Sequence, residues 1–377
     1  MQEKRIQVET EWITAALRGE KPAMTEADTE ALLEAAVHHR LVPQLAAVLS
    51  GHEEERLTAA LQPLRLQHMF FALRLAGETS RLAQLFNQRG VELLMLKGPA
   101  LASLLYGDTG QRMTSDIDML VPPEALDMAA CLLRSEGYEE NCYFSTVLPD
   151  WKWRHHHRTF YHSHTDVKVE LHWRLHPGPG KEPAFRELAD RSQTEKLGGV
   201  PVPVLGNEDL FSFLSVHGAR HGWSRLRWLY DIHQLMKRKL DFRLVKQVMG
   251  DLHPIGASAL ILSGACFGTA LPVHEKRWLM GRKATVLAEQ AFYYMYRDIE
   301  LHAEHVSRET ASYHQAYQRS LLSWRRKMLL AASFFYPYPE DVKLLPLPER
   351  IHFLYVPIRP FLWAWRRSRR ASPAEGS

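Results

Sequence analysis

Asp116 and Asp118 stand two residues apart in the run Asp116-Ile-Asp-Met-Leu-Val121, alternating with side chains that belong in a core. In a strand, residues i and i+2 point to one face. The two carboxylates therefore stand side by side, while Ile117 and Met119 point the other way. Aspartate is depleted from strand interiors. Adjacent like charges also cost energy unless a cation lies between them. Oxygen pairs of this kind suit Mg²⁺, which binds one or two carboxylates and substrate phosphates. Two solvated aspartates on a half-exposed strand would give the same letters, so the surrounding sequence has to decide.

Upstream, Val91-Glu-Leu-Leu-Met-Leu96 is an apolar run of strand length, and Lys97-Gly98-Pro99 punctuates it before a short helix. A turn of this type aims backbone N–H groups and a helix N-terminus at an anion. Lys97 adds a positive charge, and Arg112 lies in the polar loop before the carboxylate strand. Either residue alone reads better as ordinary surface charge. Downstream, residues 156–162 and 166–173 are strand-like and joined by Ser163-His-Thr165, a hairpin pattern. Asp166, Lys168, Glu170 and His172 fall on one face of the second strand; Val167, Val169, Leu171 and Trp173 fall on the other. If this strand lies beside the first, Glu170 becomes a third carboxylate, with Asp166 as the fallback. Three carboxylates and a nucleotide can hold Mg²⁺ for in-line displacement.

The rest of the chain is mainly helical in pattern. The spacing predicts an N-terminal helical region over 1–90, an α/β core over 91–180, a C-terminal helical domain over 181–350 and a basic, aromatic tail over 351–377. Helices are expected from a cap at Thr25 and Asp28, and over 275–307 and 313–332. The 377 residues carry 47 Lys+Arg against 43 Asp+Glu, a net charge of +4 that does not by itself imply nucleic-acid binding. Cys131, Cys142 and Cys266 are too few and too scattered for a disulfide framework or a cysteine zinc site. The longest uncharged stretch, 255–273, is broken by glycines and serines and reads as a buried helix, not a transmembrane segment. The N-terminus lacks a secretory h-region, so a cytoplasmic protein is expected.

The stretch LMLKGPALASLLYG…QRMTSDIDMLV…EGY…VKVELHW resembles the nucleotidyltransferase superfamily with the DNA polymerase β-type palm. Within it, the pattern is similar to bacterial nucleotidyltransferases with an LKG…R…DIDxLV…[DE]LHW signature. The likeness covers roughly residues 93–173 and extends more loosely over 217–232. It implies an α+β fold: a polymerase β-like palm with a mixed sheet, flanked by N-terminal helices and a C-terminal helical bundle. By position it implies that Gly98 belongs to the nucleotide-binding turn, that Asp116 and Asp118 form the metal pair, and that Glu170 is the third acid. The superfamily's usual Gly-Ser turn is replaced by Lys97-Gly98-Pro99, which leaves Lys97 or Thr114 to compensate for the missing serine.

The expected activity is Mg²⁺-dependent transfer of an NMP group from an NTP, ATP included, to a small molecule, sugar or peptide, with pyrophosphate leaving. Lys97 and Arg112 would meet the triphosphate, and Glu170 would help deprotonate the acceptor. A nucleic-acid acceptor is less favoured. Two alternatives stay open: a toxin–antitoxin-type modifier of tRNA or protein, and a non-catalytic nucleotide-binding module. His217 and His221, at i and i+4, share a helix face; packing or substrate contact explains them better than zinc. His172 is a further substrate-contact candidate. The basic, aromatic patch around His155-His156-His157 reads first as the exposed entrance to the hairpin. Asp231 is expected to pair with Arg225 or Arg227, or to cap and orient, in preference to catalysis. The tail is expected to dock on the bundle in preference to a membrane surface.

Overall fold

The computed structural model describes residues 6–22, 29–49, 55–141, 144, 148, 151–178, 180–271, 276–279, 281–301 and 306–371. The expected cap at Thr25 and Asp28, and Cys142, lie outside the described residues. Four helices open the chain: α1 (Gln7–Leu17), α2 (Thr29–His38), α3 (Val42–Leu49) and α4 (Glu55–Gln88). The α/β segment follows as β1 (Leu94–Met95), α5 (Pro99–Tyr106), β2 (Asp116–Leu120), α6 (Leu126–Ser135), β3 (Tyr138–Asn141), α7 (Trp151–Arg154), β4 (His157–His162) and β5 (Val167–His172). Then come α8 (Phe185–Asp190), β6 (Gln193–Leu197), β7 (Val200–Val204), α9 (Asn207–Arg220), α10 (Leu226–Leu235), α11 (Phe242–Met249) and α12 (His253–Phe267). The chain closes with α13 (Lys276–Leu279), α14 (Arg282–Met295), α15 (Arg308–Leu321), α16 (Trp324–Ser333), α17 (Pro339–Leu344) and α18 (Tyr355–Ala371).

The seven strands form one mixed sheet in the order β3-β4-β5-β2-β1-β7-β6. β2 pairs antiparallel with β1 and parallel with β5, and β4 and β5 form the expected hairpin. Asp166 has φ 51° in the hairpin turn and lies outside β5, so it is not a strand-face acid. The sheet also runs past the expected boundary at residue 180, because β6 and β7 join it through β1.

The apolar letters of each strand cover one face. Ile117, Met119, Phe160, Val167, Val169 and Leu171 are fully buried. α4 packs on β2, β6 and β7, and α6 packs on β3 and β5. A single hydrophobic core extends from Trp12 on α1 to Leu321 on α15, so the flanking helices share the core of the sheet. The α+β architecture, with helices before the sheet and a bundle of α9 to α12 with α14 and α15 after it, is the one expected.

The helix expected over 275–307 is interrupted: Gly281 stands at the N-cap of α14 with extended backbone, and α14 ends at Met295. In the tail, Tyr355, Arg359 and Leu362 are buried, and Arg359 Nε donates to Asp341 Oδ2 on α17 at 3.2 Å. Among the described residues, no helix is long and apolar enough to cross a membrane.

Candidate active site

The polar letters of β2, β4 and β5 meet on the other face of the sheet. The parallel register sets Asp118 opposite Glu170 and Asp116 opposite Lys168; across β4–β5, His157 faces His172 and Thr159 faces Glu170. Asp116, Asp118 and Glu170 therefore share one face. Asp118 is fully buried, and the Asp116 and Glu170 side chains are 20% and 14% exposed.

Two lysines and a histidine hold these acids. Lys97 Nζ lies 2.8 Å from Asp118 Oδ1, and Lys168 Nζ lies 2.5 Å from Glu170 Oε1 and 3.6 Å from Asp116 Oδ2. His172 Nε2–H donates to Asp118 Oδ1 at 3.3 Å, with Glu170 Oε2 at 3.6 Å. Lys97, expected as a mobile charge for phosphate, is thus a buried ion-pair partner of the acids. Sequence reasoning gave no role to Lys168, although the strand alternation placed it on this face.

The environments push the two buried acids apart. Burial dominates at Asp118 and, with Asp116 and Glu170 nearby, raises its pKa against the pull of Lys97. Burial also acts to raise Glu170, but the hydrogen bond from His172 and the charges of Lys97, His157 and Lys168 outweigh it and hold Glu170 well below the usual carboxylate range. At Lys97 the burial penalty is overcome by Asp118, Asp116 and Glu170, so the ammonium is favoured. At His172 burial is overcome by hydrogen bonds to Asp118 and Glu170, and its pKa rises.

Asp118 Oδ2 is buried and, among the described residues, has no hydrogen-bond partner. Such an orphaned oxygen costs free energy unless something binds it. Donor atoms of Asp118, Glu170 and His172 lie within 4.8 Å of one another. Asp116 is not in that group; the carboxylate oxygens of Asp118 and Glu170 are of the type that suits a hard cation such as Mg²⁺.

Gly98 has φ 77° and ψ −148°, a region that side chains other than hydrogen rarely enter. A Cβ there would sit 2.7 Å from the carbonyl oxygen of Asp116. The turn therefore packs directly on the carboxylate strand, and Pro99 starts α5 at its first position. Gly98→Ala should displace the turn from β2, cost about 1–3 kcal/mol of stability and weaken any ligand binding at the acids. A melting temperature equal to wild type would refute this. Thr114, expected near phosphate, is buried, and its Oγ1 donates to the Asp116 carbonyl at 3.4 Å.

Arg112 departs from the expectation of a loop charge reaching for phosphate. Its side chain is 1% exposed, and its Nε and Nη2 each donate to Asp231 at 2.9 Å. Tyr106 Oη donates to the same carboxylate at 2.8 Å. Asp231 therefore pairs with Arg112, not with Arg225 or Arg227. Arg225 binds the His38 carbonyl and Glu300, and Arg227 binds the Met113 carbonyl.

Two histidines brace this corner in neutral form. His68 Nε2–H donates to the Arg112 carbonyl at 3.1 Å, and burial pushes its pKa down to about 4. Burial, with the charge of Arg225, does the same to His38, also to about 4. An imidazole titrates near 6.5 when unfolded, so between these values the unfolded chain binds the extra proton. Their contribution is full above about pH 6.5 and is lost as pH falls toward 4. Melting temperatures should drop across that window; a flat profile would contradict the neutral assignment.

A cavity of about 1040 Å³ opens over the acids. Its sheet side carries Lys97, Asp116, Lys168, Glu170 and His172; α9 and α10 supply His217, Arg220, Arg227 and Trp228. His217 and His221 line this cavity, and both pack against the Trp228 ring, at 5.7 and 5.1 Å between centroids. The patch at His155-His156-His157 borders the cavity and is not simply a hairpin entrance.

The sequence model of a family described as "Uncharacterised nucleotidyltransferase" matches residues 25–266. The chain belongs to this family. The matched region contains every acid of the site and the helices that roof it, consistent with transferase activity in a nucleotidyltransferase. No curated protein matches the sequence. A crystal structure of an antigenic nucleotidyltransferase-like protein from Paracoccidioides brasiliensis is similar over 52% of this chain and 97% of its own, at 18% identity and a TM-score of 0.32.

Proposed function

We propose that this nucleotidyltransferase moves an NMP group from an NTP to the hydroxyl, amine or phosphate of a small acceptor, with Mg²⁺ as cofactor and pyrophosphate as leaving group. The reading rests chiefly on the buried Asp118 carboxylate, whose Oδ2 has no partner among the described residues and which stands opposite Glu170 on the sheet face it shares with Asp116. These three residues would hold the metal. Bound there, Mg²⁺ supplies positive charge to the transferred phosphoryl group.

The remaining chemistry belongs to the chain. Lys97 and Lys168, now paired with the acids, would meet phosphate oxygens in a charge-assisted contact. Glu170 is held well below the usual carboxylate range, so it stays charged and suited to hold a cation. Arg220 and Arg227 give the opposite wall a positive lining that suits a polyphosphate. The volume of about 1040 Å³ lies just above the roughly 300–1000 Å³ of ordinary ligand sites, enough for a nucleotide and a small acceptor together.

Two measurements test this. Calorimetry should detect Mg²⁺-dependent NTP binding, and mass spectrometry after incubation with mixed NTPs, Mg²⁺ and cell extract should show an acceptor heavier by one NMP. Absence of both would overturn the proposal; NTP binding without product would point to a nucleotide-binding module.

A further inference from the structure

Three imidazoles converge beside the acids. His156 precedes β4, His157 opens it, and His172 ends β5 directly across the ladder. One donor nitrogen from each lies within 4.8 Å of the other two. The Trp173 N–H donates to the His156 carbonyl at 3.0 Å and pins that backbone. His155, by contrast, stacks on Phe144 at 4.0 Å between centroids and takes no part.

The spacing is that of ligands around one ion. His156 Nε2 and His157 Nδ1 are 3.2 Å apart and share a hydrogen bond that a bound ion would replace. Two imidazole nitrogens on a tetrahedral zinc, each about 2.0–2.1 Å from the metal, are about 3.3 Å apart. Adding the ring's own radius puts the centroids of such ligands about 5.2 Å apart; the three observed separations are 4.4, 5.0 and 5.3 Å.

His172 carries the second observation. The ring is 3% exposed, and its Nδ1 is buried with no hydrogen-bond partner among the described residues. Its Nε2–H is committed to Asp118. A carboxylate that accepts from one ring nitrogen, leaving the other for a metal, is the usual support of a histidine ligand.

We propose that His156, His157 and His172 bind a divalent transition ion of the zinc class, at a site distinct from the Asp116–Asp118–Glu170 acids and opening into the same cavity. Donor type separates the two sites, since imidazole suits zinc and its neighbours whereas carboxylate oxygen suits Mg²⁺. Three histidines leave a fourth position toward the cavity, where an oxygen or nitrogen of an acceptor can bind. The proposal needs no nucleotide and does not depend on the transfer reaction.

The test is titration of the full chain with Co²⁺, without nucleotide, at mildly alkaline pH. One Co²⁺ per chain should bind with the intense visible absorption of a four-coordinate ion, and Zn²⁺ should displace it. His156→Gln and His157→Gln should each weaken Co²⁺ binding at least about tenfold. Asp116→Asn should leave Co²⁺ binding unchanged while removing Mg²⁺–NTP binding, so the two readings fail separately. A weak six-coordinate spectrum, unchanged affinity in both histidine variants, or loss of Co²⁺ binding in Asp116→Asn would overturn the proposal. Should the histidine variants fail to fold, X-ray absorption of the zinc-loaded wild type counts its imidazoles; three support the site, and one or none refutes it.

Discussion

Asp116→Asn is expected to abolish Mg²⁺-dependent nucleotidyl transfer while the melting temperature stays at the wild-type value. The Asp116 side chain is 20% exposed, and its ion pair with Lys168 is a loose 3.6 Å. Asparagine keeps the size of the side chain and relieves repulsion among three acids that share one face of the sheet. What it removes is a charge that holds the metal, a contribution of several kcal/mol to the transition state. A loss of roughly 4 kcal/mol slows turnover on the order of a thousandfold. Calorimetric Mg²⁺–NTP binding checks the same point before the acceptor is known, and wild-type binding by the variant would remove Asp116 from the metal site. Asp118→Asn should be equally inactive, but it is a poorer separator of function from stability. It takes away the 2.8 Å partner of a buried Lys97, so its melting temperature mixes two effects.

Asp231→Asn is expected to destabilise the protein by about 3–5 kcal/mol, the cost of leaving one member of a buried ion pair behind. Arg112 and Asp231 are 1% and 0% exposed, and their contact is two-pronged. Tyr106 would also lose the carboxylate oxygen to which it donates. Denaturant unfolding measures the loss, and a change under about 1 kcal/mol would mean that the pair relaxes into solvent. Replacing Arg112 and Asp231 together by Met and Leu should recover much of the stability, because the largest part of the penalty is the orphaned charge. The two aspartates are therefore expected to be opposites: Asp231→Asn should cost stability and Asp116→Asn activity.

That difference also marks how far the sequence could be read. The period-two alternation in residues 116–121 and 166–173 exposed the sheet face, and β2 and β5 do pair so that Asp118 meets Glu170. The glycine turn was legible because Pro99 and the preceding apolar run bracket it. Arg112 was misread because its partner lies 119 residues away, and nothing local distinguishes a loop arginine bound for solvent from one bound for a buried carboxylate. Lys97 was read as positive charge near the site, correctly placed, but its attachment to Asp118 depends on how the turn packs on β2. The histidine patch was seen as letters, yet whether imidazoles face one another is set by cross-strand register, here His157 against His172. The boundary at residue 180 failed because β6 and β7 pair with β1, a long-range choice that local pattern does not encode.

The placement of β2 between β1 and β5 has a consequence for how the molecule breathes. A strand flanked on both sides, with Ile117 and Met119 fully buried beneath it, belongs to the last cooperative unit to open. Amide protons of Ile117 to Leu120 should exchange with solvent deuterium only as fast as the whole chain unfolds, whereas the hairpin turn near Asp166 should exchange by small local excursions. The acids therefore ride on the slowest-exchanging element, and their spacing is fixed by the global fold, not by loop closure.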